Sequence, residues 1–343
     1  MAEPASTHMA AEIGQAPDAV RRQERTLAAP LAELVRHLKA KPPRVVVTAA
    51  RGSSAHAATF AKHAIERYVG IPVAAAAPSI ATVYARDLDL KDQLLLAISQ
   101  SGESDDLIEM AQSAKRSGAL TVALVNAVES PLARASDIVL PLSAGVEQSV
   151  AATKTFVASL AAALRLTAAW TVAPALAAAV LRLPERLEAA GALDWSSWPG
   201  RVARASHLFT VGRGPTLAIA REAALKLKET CAIHAEAYSG AELQHGPIAL
   251  VTKGFPILMF LPNDAAADAL IALAEDLRAK QAAVFTVESK VGEGRLPVVP
   301  HEQPEADAIC AIQSFYAALP QLAKLRGMDA DRPRHLRKVT RTR

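Results

Sequence analysis

Short apolar runs, several of them β-branched or leucine-rich, alternate along this chain with longer alanine-rich stretches whose polar residues recur at helical spacing. That alternation predicts βαβ units and a parallel sheet. It occurs twice. In the first half the predicted strands are Arg44–Thr48, Pro72–Ala75, Leu94–Ile98, Leu120–Val125 and Ile138–Leu142, with helical stretches Ala55–Val69 and Asp105–Ser117 between them. In the second half they are Leu208–Val211, Ile257–Leu261, Ala283–Thr286 and Leu296–Val299. The run Ala189–Gly200, with Gly191, Pro199 and Gly200, predicts the connector. A strand leading into Arg51-Gly52-Ser53 recurs as a strand leading into Arg213-Gly214-Pro215-Thr216. Each half therefore reads as one copy of an open α/β fold, a parallel sheet flanked by helices in flavodoxin-like or Rossmann-like layers. Ligands are expected beyond the C-terminal strand ends, where strand order reverses. The expected organisation is an N-terminal helical segment (1–40), a first domain (41–190), a second domain (198–330) and a C-terminal tail (331–343).

Composition narrows the function classes. With 343 residues and 51% apolar side chains, the chain can build about two cores, and global disorder is excluded. Cys231 and Cys310 have neither metal-ligand spacing nor a disulfide framework, so a reducing cytoplasm is the expected compartment. The sequence pI of 9.1 suggests a nucleic-acid partner only until the charge is located. Six cations (Arg332, Arg334, Arg337, Lys338, Arg341, Arg343) and one anion, Asp331, lie in the last 13 residues, and they account for all of the net +4. No basic face is left for a nucleic acid. The tail is then either a solvated terminus or a flap that meets an anionic ligand. The uncharged run Leu166–Leu181 spans 16 residues and contains Pro174, short of the roughly 18–20 a membrane span needs, and is expected to be a buried helical region. The N-terminus, with Glu3 and Glu12, lacks the features of a signal peptide.

The richest anion cradle is Ser99-Gln100-Ser101-Gly102-Glu103-Ser104, between an apolar strand and a predicted helix. Gly102 permits a tight turn, the hydroxyls supply hydrogen bonds, and the helix start adds free N–H groups. An ordinary serine-capped helix would use fewer hydroxyls. Arg51-Gly52-Ser53-Ser54 offers the same chemistry at the same expected sheet edge, and Val150-Ala151-Ala152-Thr153-Lys154-Thr155 adds hydroxyls and an ammonium at a third helix start, which a solvated helix N-terminus would also explain. Gly212-x-Gly214 has Leu217 where a dinucleotide fingerprint needs glycine, and there is no nucleotide P-loop. No serine-hydrolase elbow, zinc-protease motif or histidine cluster occurs either, so neither a metal nor a cofactor is expected.

On a helix predicted from Thr216 to about Ala232, Glu222, Lys226 and Glu229 share one face at spacings of four and three. They form either a solvated ion-pair stripe or a proton-transfer site. Downstream, His234-Ala235-Glu236-Ala237-Tyr238 leads through Gly240 to Glu242-Leu243-Gln244-His245-Gly246-Pro247, a polar, turn-rich stretch of the kind that carries function. His245, placed before Gly-Pro, does not suit the interior of a regular element.

The loop Ser99–Ser104, Val150–Phe156, Ala224–Glu229, His234–Tyr238 and Glu242–Leu250, taken in order, resemble the double sugar isomerase (SIS) family, above all the isomerase half of glucosamine-6-phosphate synthase and the stand-alone glucosamine-6-phosphate deaminases. The resemblance runs over essentially the whole chain and implies two tandem SIS domains. It implies that Ser53, Ser54, Ser99, Gln100, Ser101 and Ser104 bind a sugar phosphate, that Glu229 shuttles a proton between C1 and C2, that His245 helps to open the sugar ring, and that Lys226 and Val150 line the site. It also implies a homodimer in which the His245 loop serves the second subunit, and a closing tail whose lysine, here Lys338, reaches the sugar. Two departures stand out: Arg337 replaces a small residue and Ser53 a threonine. A glutamine-using synthase carries an N-terminal glutaminase domain with a nucleophilic cysteine, whereas here Ala2 and about 40 residues precede the first strand. The expected activity is therefore cofactor-free, cytoplasmic deamination of glucosamine 6-phosphate. The alternatives are isomerisation of another phosphosugar, amination fed by ammonia from elsewhere, and a phosphosugar-sensing module without catalysis.

Overall fold

The computed structural model describes residues 7–338. Ten strands form two five-stranded parallel sheets among them. The first sheet contains β1 (Val46–Ala50), β2 (Val73–Ala75), β3 (Leu94–Ser99), β4 (Leu120–Val125) and β5 (Ile138–Pro141), in the order β2-β1-β3-β4-β5. The second contains β6 (His207–Gly212), β7 (His234–Ser239), β8 (Pro256–Phe260), β9 (Ala283–Val287) and β10 (Arg295–Leu296), in the order β7-β6-β8-β9-β10. The two orders are the same flavodoxin-like winding. In each, strand order reverses beside the first strand of the repeat, between β1 and β3 and again between β6 and β8.

Nine of the ten strands coincide with the apolar runs, with ends moved by one to a few residues. The exception is β7. His234–Ser239, which the sequence presents as part of a polar, turn-rich stretch, pairs with β6 in register from His207↔His234 to Gly212↔Ser239. As an edge strand it needs only one partner and only a half-buried face, so no apolar run marks it.

By spatial contact the chain divides into two compact units. The first comprises residues 18–146 and 154–181 with Arg337 and Lys338; the second comprises residues 7–17, 147–153 and 182–336. The segment before β1 is helical: His8–Gly14, Ala16–Thr26 and Ala28–Ala40. The long uncharged run proves to be two helices, Lys154–Thr171 and Pro174–Gly191, separated where Val172 adopts a φ of 54° just ahead of Pro174. The expected connector is partly helical as well, since Pro174–Gly191 enters it and Ser197–Val202 forms a helix within it.

Each core is built as a buried parallel sheet demands. In the first unit β3 is buried along its full length, and Leu95 and Ala97 join Val47 and Ala123 under Leu107, Met110 and Ala114 of helix Asp105–Arg116. That helix opens with Asp105 and Asp106 and closes with Lys115 and Arg116, charges that complement its dipole. In the second unit Phe209, Val211, Ile257 and Met259 pack beneath Leu270, Leu273 and Leu277 of helix Ala267–Ala279. Cys231 and Cys310 are buried free thiols, their pKa values pushed up by burial to about 11 and about 12.

Candidate active site

Where the first sheet reverses, β1 and β3 deliver both serine loops. Arg51 caps helix Gly52–Tyr68, which places Ser53 and Ser54 in its first turn. β3 ends at Ser99, whose buried Oγ accepts the Gly102 N–H at 3.0 Å, while the Ser101 Oγ accepts the Glu103 N–H at 3.3 Å. Two of the hydroxyls therefore shape the turn. Ser104 caps helix Asp105–Arg116 in extended backbone, and its side chain makes no capping bond. Gly102 is required twice over: its φ is +65°, and a Cβ there would lie 2.1 Å from the Ser130 Oγ. The two loops are tied together. The Arg51 guanidinium, half-exposed, reaches the buried Asp106 carboxylate in the first turn of the second helix at 2.6 Å.

The proton-transfer candidates lie in the second unit, on helix Pro215–Cys231. The stripe that could have been solvated is buried: the Glu222 side chain is 0% exposed, Lys226 1% and Glu229 20%. Lys226 forms an ion pair with the Glu229 Oε2 and lies 3.4 Å from Glu222. Tyr316, from helix Pro304–Leu325, donates its hydroxyl to Glu222 at 2.9 Å. Burial by itself would push the Lys226 ammonium down, but Glu222 and Glu229, with Glu147 behind them, outweigh it and hold it above the ordinary lysine range. Burial and the neighbouring Glu222 hold the Tyr316 phenol protonated far above its usual range. The result is a fixed ammonium between two carboxylates, only one of which, Glu229, reaches solvent. A carboxylate so placed can take a proton from a carbon acid and return it nearby without moving the cation that stabilises it.

Glu147, which sequence reasoning missed, accepts the Thr153 N–H at 3.0 Å from within a loop with no periodicity to mark it. Thr153, Lys154 and Thr155 are buried rather than solvated, and the Lys154 ammonium meets the Val146 carbonyl in the first unit. Val150 donates its N–H to the Asp331 carbonyl at 3.4 Å. His245 ends the short helix Gly240–Gln244 and is exposed. Lys338 is half-buried; residues 339–343, the remainder of the expected tail, lie outside the described residues. Among the described residues no cluster of three His, Cys, Asp or Glu side chains could hold a metal ion, and no helix is long and apolar enough to cross a membrane.

Comparison with known proteins places this geometry. The SIS domain profile matches residues 39–169 and 202–293, one segment on each sheet. The chain is 44% identical to a crystallised protein of Silicibacter pomeroyi DSS-3 whose name assigns it provisionally to the phosphosugar isomerases; the match covers 95% of this chain and all of that one, with a TM-score of 0.91. The C-terminal domain of a glucosamine-fructose-6-phosphate aminotransferase from Francisella tularensis superposes with a TM-score of 0.84 at 28% identity, over 96% of this chain and 98% of that one. A glutamine–fructose-6-phosphate aminotransferase of Aquifex aeolicus is 34% identical over 325 residues, 88% of this chain and 52% of its own length. The chain thus spans about half the length of the curated relatives it matches.

Proposed function

We propose that this chain, which belongs to the SIS domain family, is an enzyme of the phosphosugar isomerase kind whose reaction converts glucosamine 6-phosphate and water into fructose 6-phosphate and ammonia. One observation carries the reading: a buried ammonium, Lys226, clasped by Glu222 and by a Glu229 that alone of the two carboxylates reaches solvent.

In the open-chain sugar the C2 hydrogen is acidified by the C1 aldehyde. Glu229 takes that proton and returns it to C1, moving the double bond so that C2 becomes an imine and C1 a hydroxymethyl group. Water then adds to the imine carbon and ammonia leaves. The shuttle runs between adjacent carbons, which suits a single carboxylate, and it needs no cofactor. In the first unit, Ser53, Ser54, Ser99, Gln100, Ser101 and Ser104 take the phosphate, with the starts of helices Gly52–Tyr68 and Asp105–Arg116 supplying N–H groups and positive dipole ends. Val150 and Lys226 line the sugar site, and Lys338 closes on it. His245 assists ring opening. Its exposed position, followed by an exposed Leu250, supports a homodimer in which this loop serves the partner's site.

The test is release of ammonia and fructose 6-phosphate from glucosamine 6-phosphate by the purified protein without glutamine, beside galactosamine 6-phosphate and N-acetylglucosamine 6-phosphate. Stoichiometric release from the free amino sugar supports the reading. Similarity to the aminotransferases favours one competitor. Formation of glucosamine 6-phosphate from fructose 6-phosphate and ammonia, without the reverse release, would move the assignment to amination. Binding without either reaction would leave a sensor, and turnover of a non-amino phosphosugar an aldose–ketose isomerase.

A further inference from the structure

Glu12 and Asp331, more than 300 positions apart, converge on the loop 147–153. In the second unit, helix His8–Gly14 carries Glu12, whose side chain is buried. Its two carboxylate oxygens accept backbone N–H groups from that loop, Oε1 from Gln148 and Oε2 from Ser149, the latter at 3.2 Å. The loop is 147–153, which begins with the Glu147 that faces Lys226 and continues through Val150. From the other end of the chain, Asp331 accepts the His8 and Met9 N–H groups, each at 2.8 Å, and so caps the same helix; its carbonyl accepts the Val150 N–H at 3.4 Å. Gln313 fastens the helix from below, donating to the Ile13 carbonyl at 2.9 Å.

A seven-residue helix is too short to persist without tertiary contacts, and a buried carboxylate spent wholly on two amides of a loop is an unusual use of charge. The arrangement is explained if the loop must be held in one conformation. We infer that Glu12 and Asp331 are positioning residues: through the backbone of Gln148, Ser149 and Val150 they set the place of Glu147 and Val150 against the Lys226 cluster. This inference rests on the catalytic reading above.

The experiment compares Glu12→Ala, Glu12→Gln and Thr7→Ala with the wild-type chain. Thr7 caps the same helix by accepting the Ala10 N–H at 3.1 Å and serves as the control for helix stability alone. A displacement of about 1 Å in a catalytic group costs on the order of 10²-fold, so kcat of Glu12→Ala is expected to fall about 10–100-fold while KM stays within about twofold. Glu12→Gln, which keeps one acceptor, should recover most of the loss, and Thr7→Ala should keep kcat. Hydrogen exchange is read on the same proteins: the Gln148 and Ser149 amides should lose protection in Glu12→Ala and keep it in Thr7→Ala. An unchanged kcat in Glu12→Ala, or an equal loss in Thr7→Ala, overturns the positioning role. Wild-type protein that turns over no sugar phosphate overturns the catalytic reading instead, and the exchange data then still decide whether Glu12 holds the loop.

Discussion

The two sheets wind identically and reverse at equivalent places, yet their switch points have opposite chemistry. In the first unit the loops after β1 and β3 bring five serines and two helix starts to one edge. In the second, the helix after β6 carries Thr216 in its first turn, and the Thr216 hydroxyl is consumed internally by the Arg213 backbone and the Phe260 carbonyl. After β8 come Leu261-Pro262-Asn263-Asp264. Thr216, Leu261, Pro262 and Asp307 line one narrow cavity there, and the Asp307 carboxylate is engaged by Arg186 at 2.6 Å and His301 at 3.1 Å. A half-buried carboxylate already paired with Arg186 stands there, in place of a hydroxyl-rich turn. Strand order makes a cleft available; side chains decide whether it binds. In the second unit the ionic cluster of Glu222, Lys226 and Glu229 lies instead on the helix that follows β6.

Five experiments would break or sharpen that contrast. Replacing Glu229 with Gln in the second unit should cut turnover about 10²–10⁴-fold, the usual contribution of a general acid-base group, and leave sugar-phosphate affinity in place; undiminished turnover sinks the assignment. In the first unit, the double change Ser101→Ala with Ser104→Ala should raise KM about 10–100-fold at nearly constant kcat, because hydrogen bonds to a charged group contribute about 1.5–3 kcal/mol. The mirror change Thr216→Ala should cost about 1–3 kcal/mol of stability, read from denaturant midpoints, without moving KM; a rise in KM would mean that the second switch point does bind. Arg51→Ala, which unties the two serine loops, should raise KM only a few-fold, since the guanidinium is half-exposed.

The smallest effect is a difference in pH response. In the second unit burial raises Cys231, Cys310 and Tyr238 to about 11, 12 and 12, and Lys226 and Tyr316 are raised too. Each keeps its proton to higher pH folded than unfolded, so their stabilising contribution is complete below about pH 9 and drains as pH rises toward 12. In the first unit Glu66 and Asp137 are lowered: burial opposes this, but the lysines beside them, Lys62 and Lys115, together with backbone N–H groups, prevail. Their contribution is complete above about pH 4.5 and is lost on acidification. Peptide-resolved hydrogen exchange across pH should therefore loosen the second unit first in alkali and the first unit first in acid.

How much of this was legible in the sequence depends on how local each signal is. Central parallel strands are buried on both faces, so Leu94–Ser99 reads as a strand on its own; β7, an edge strand of alternating His, Glu and Tyr with alanine, does not. The spacing of Glu222, Lys226 and Glu229 placed them on one helix face, but their burial depends on Tyr316, some ninety positions away. The sequence marks Ser99 and Ser101 as candidate anion ligands, whereas their use in shaping the Gly102 turn shows only in the folded chain. Glu12 and Glu147 carried no periodic mark at all. Their surroundings are assembled from helix His8–Gly14, Asp331 and an irregular loop, a combination that no window of sequence contains.

The buried thiols have a practical consequence. Cys231 and Cys310 are enclosed, and burial pushes both thiols up, away from the thiolate that is the form that alkylates. The native chain is therefore expected to react slowly with maleimide dyes. A single cysteine introduced at exposed Leu336, two residues before Lys338, is expected to take the label alone, and its fluorescence would report whether the tail moves when a sugar phosphate is added.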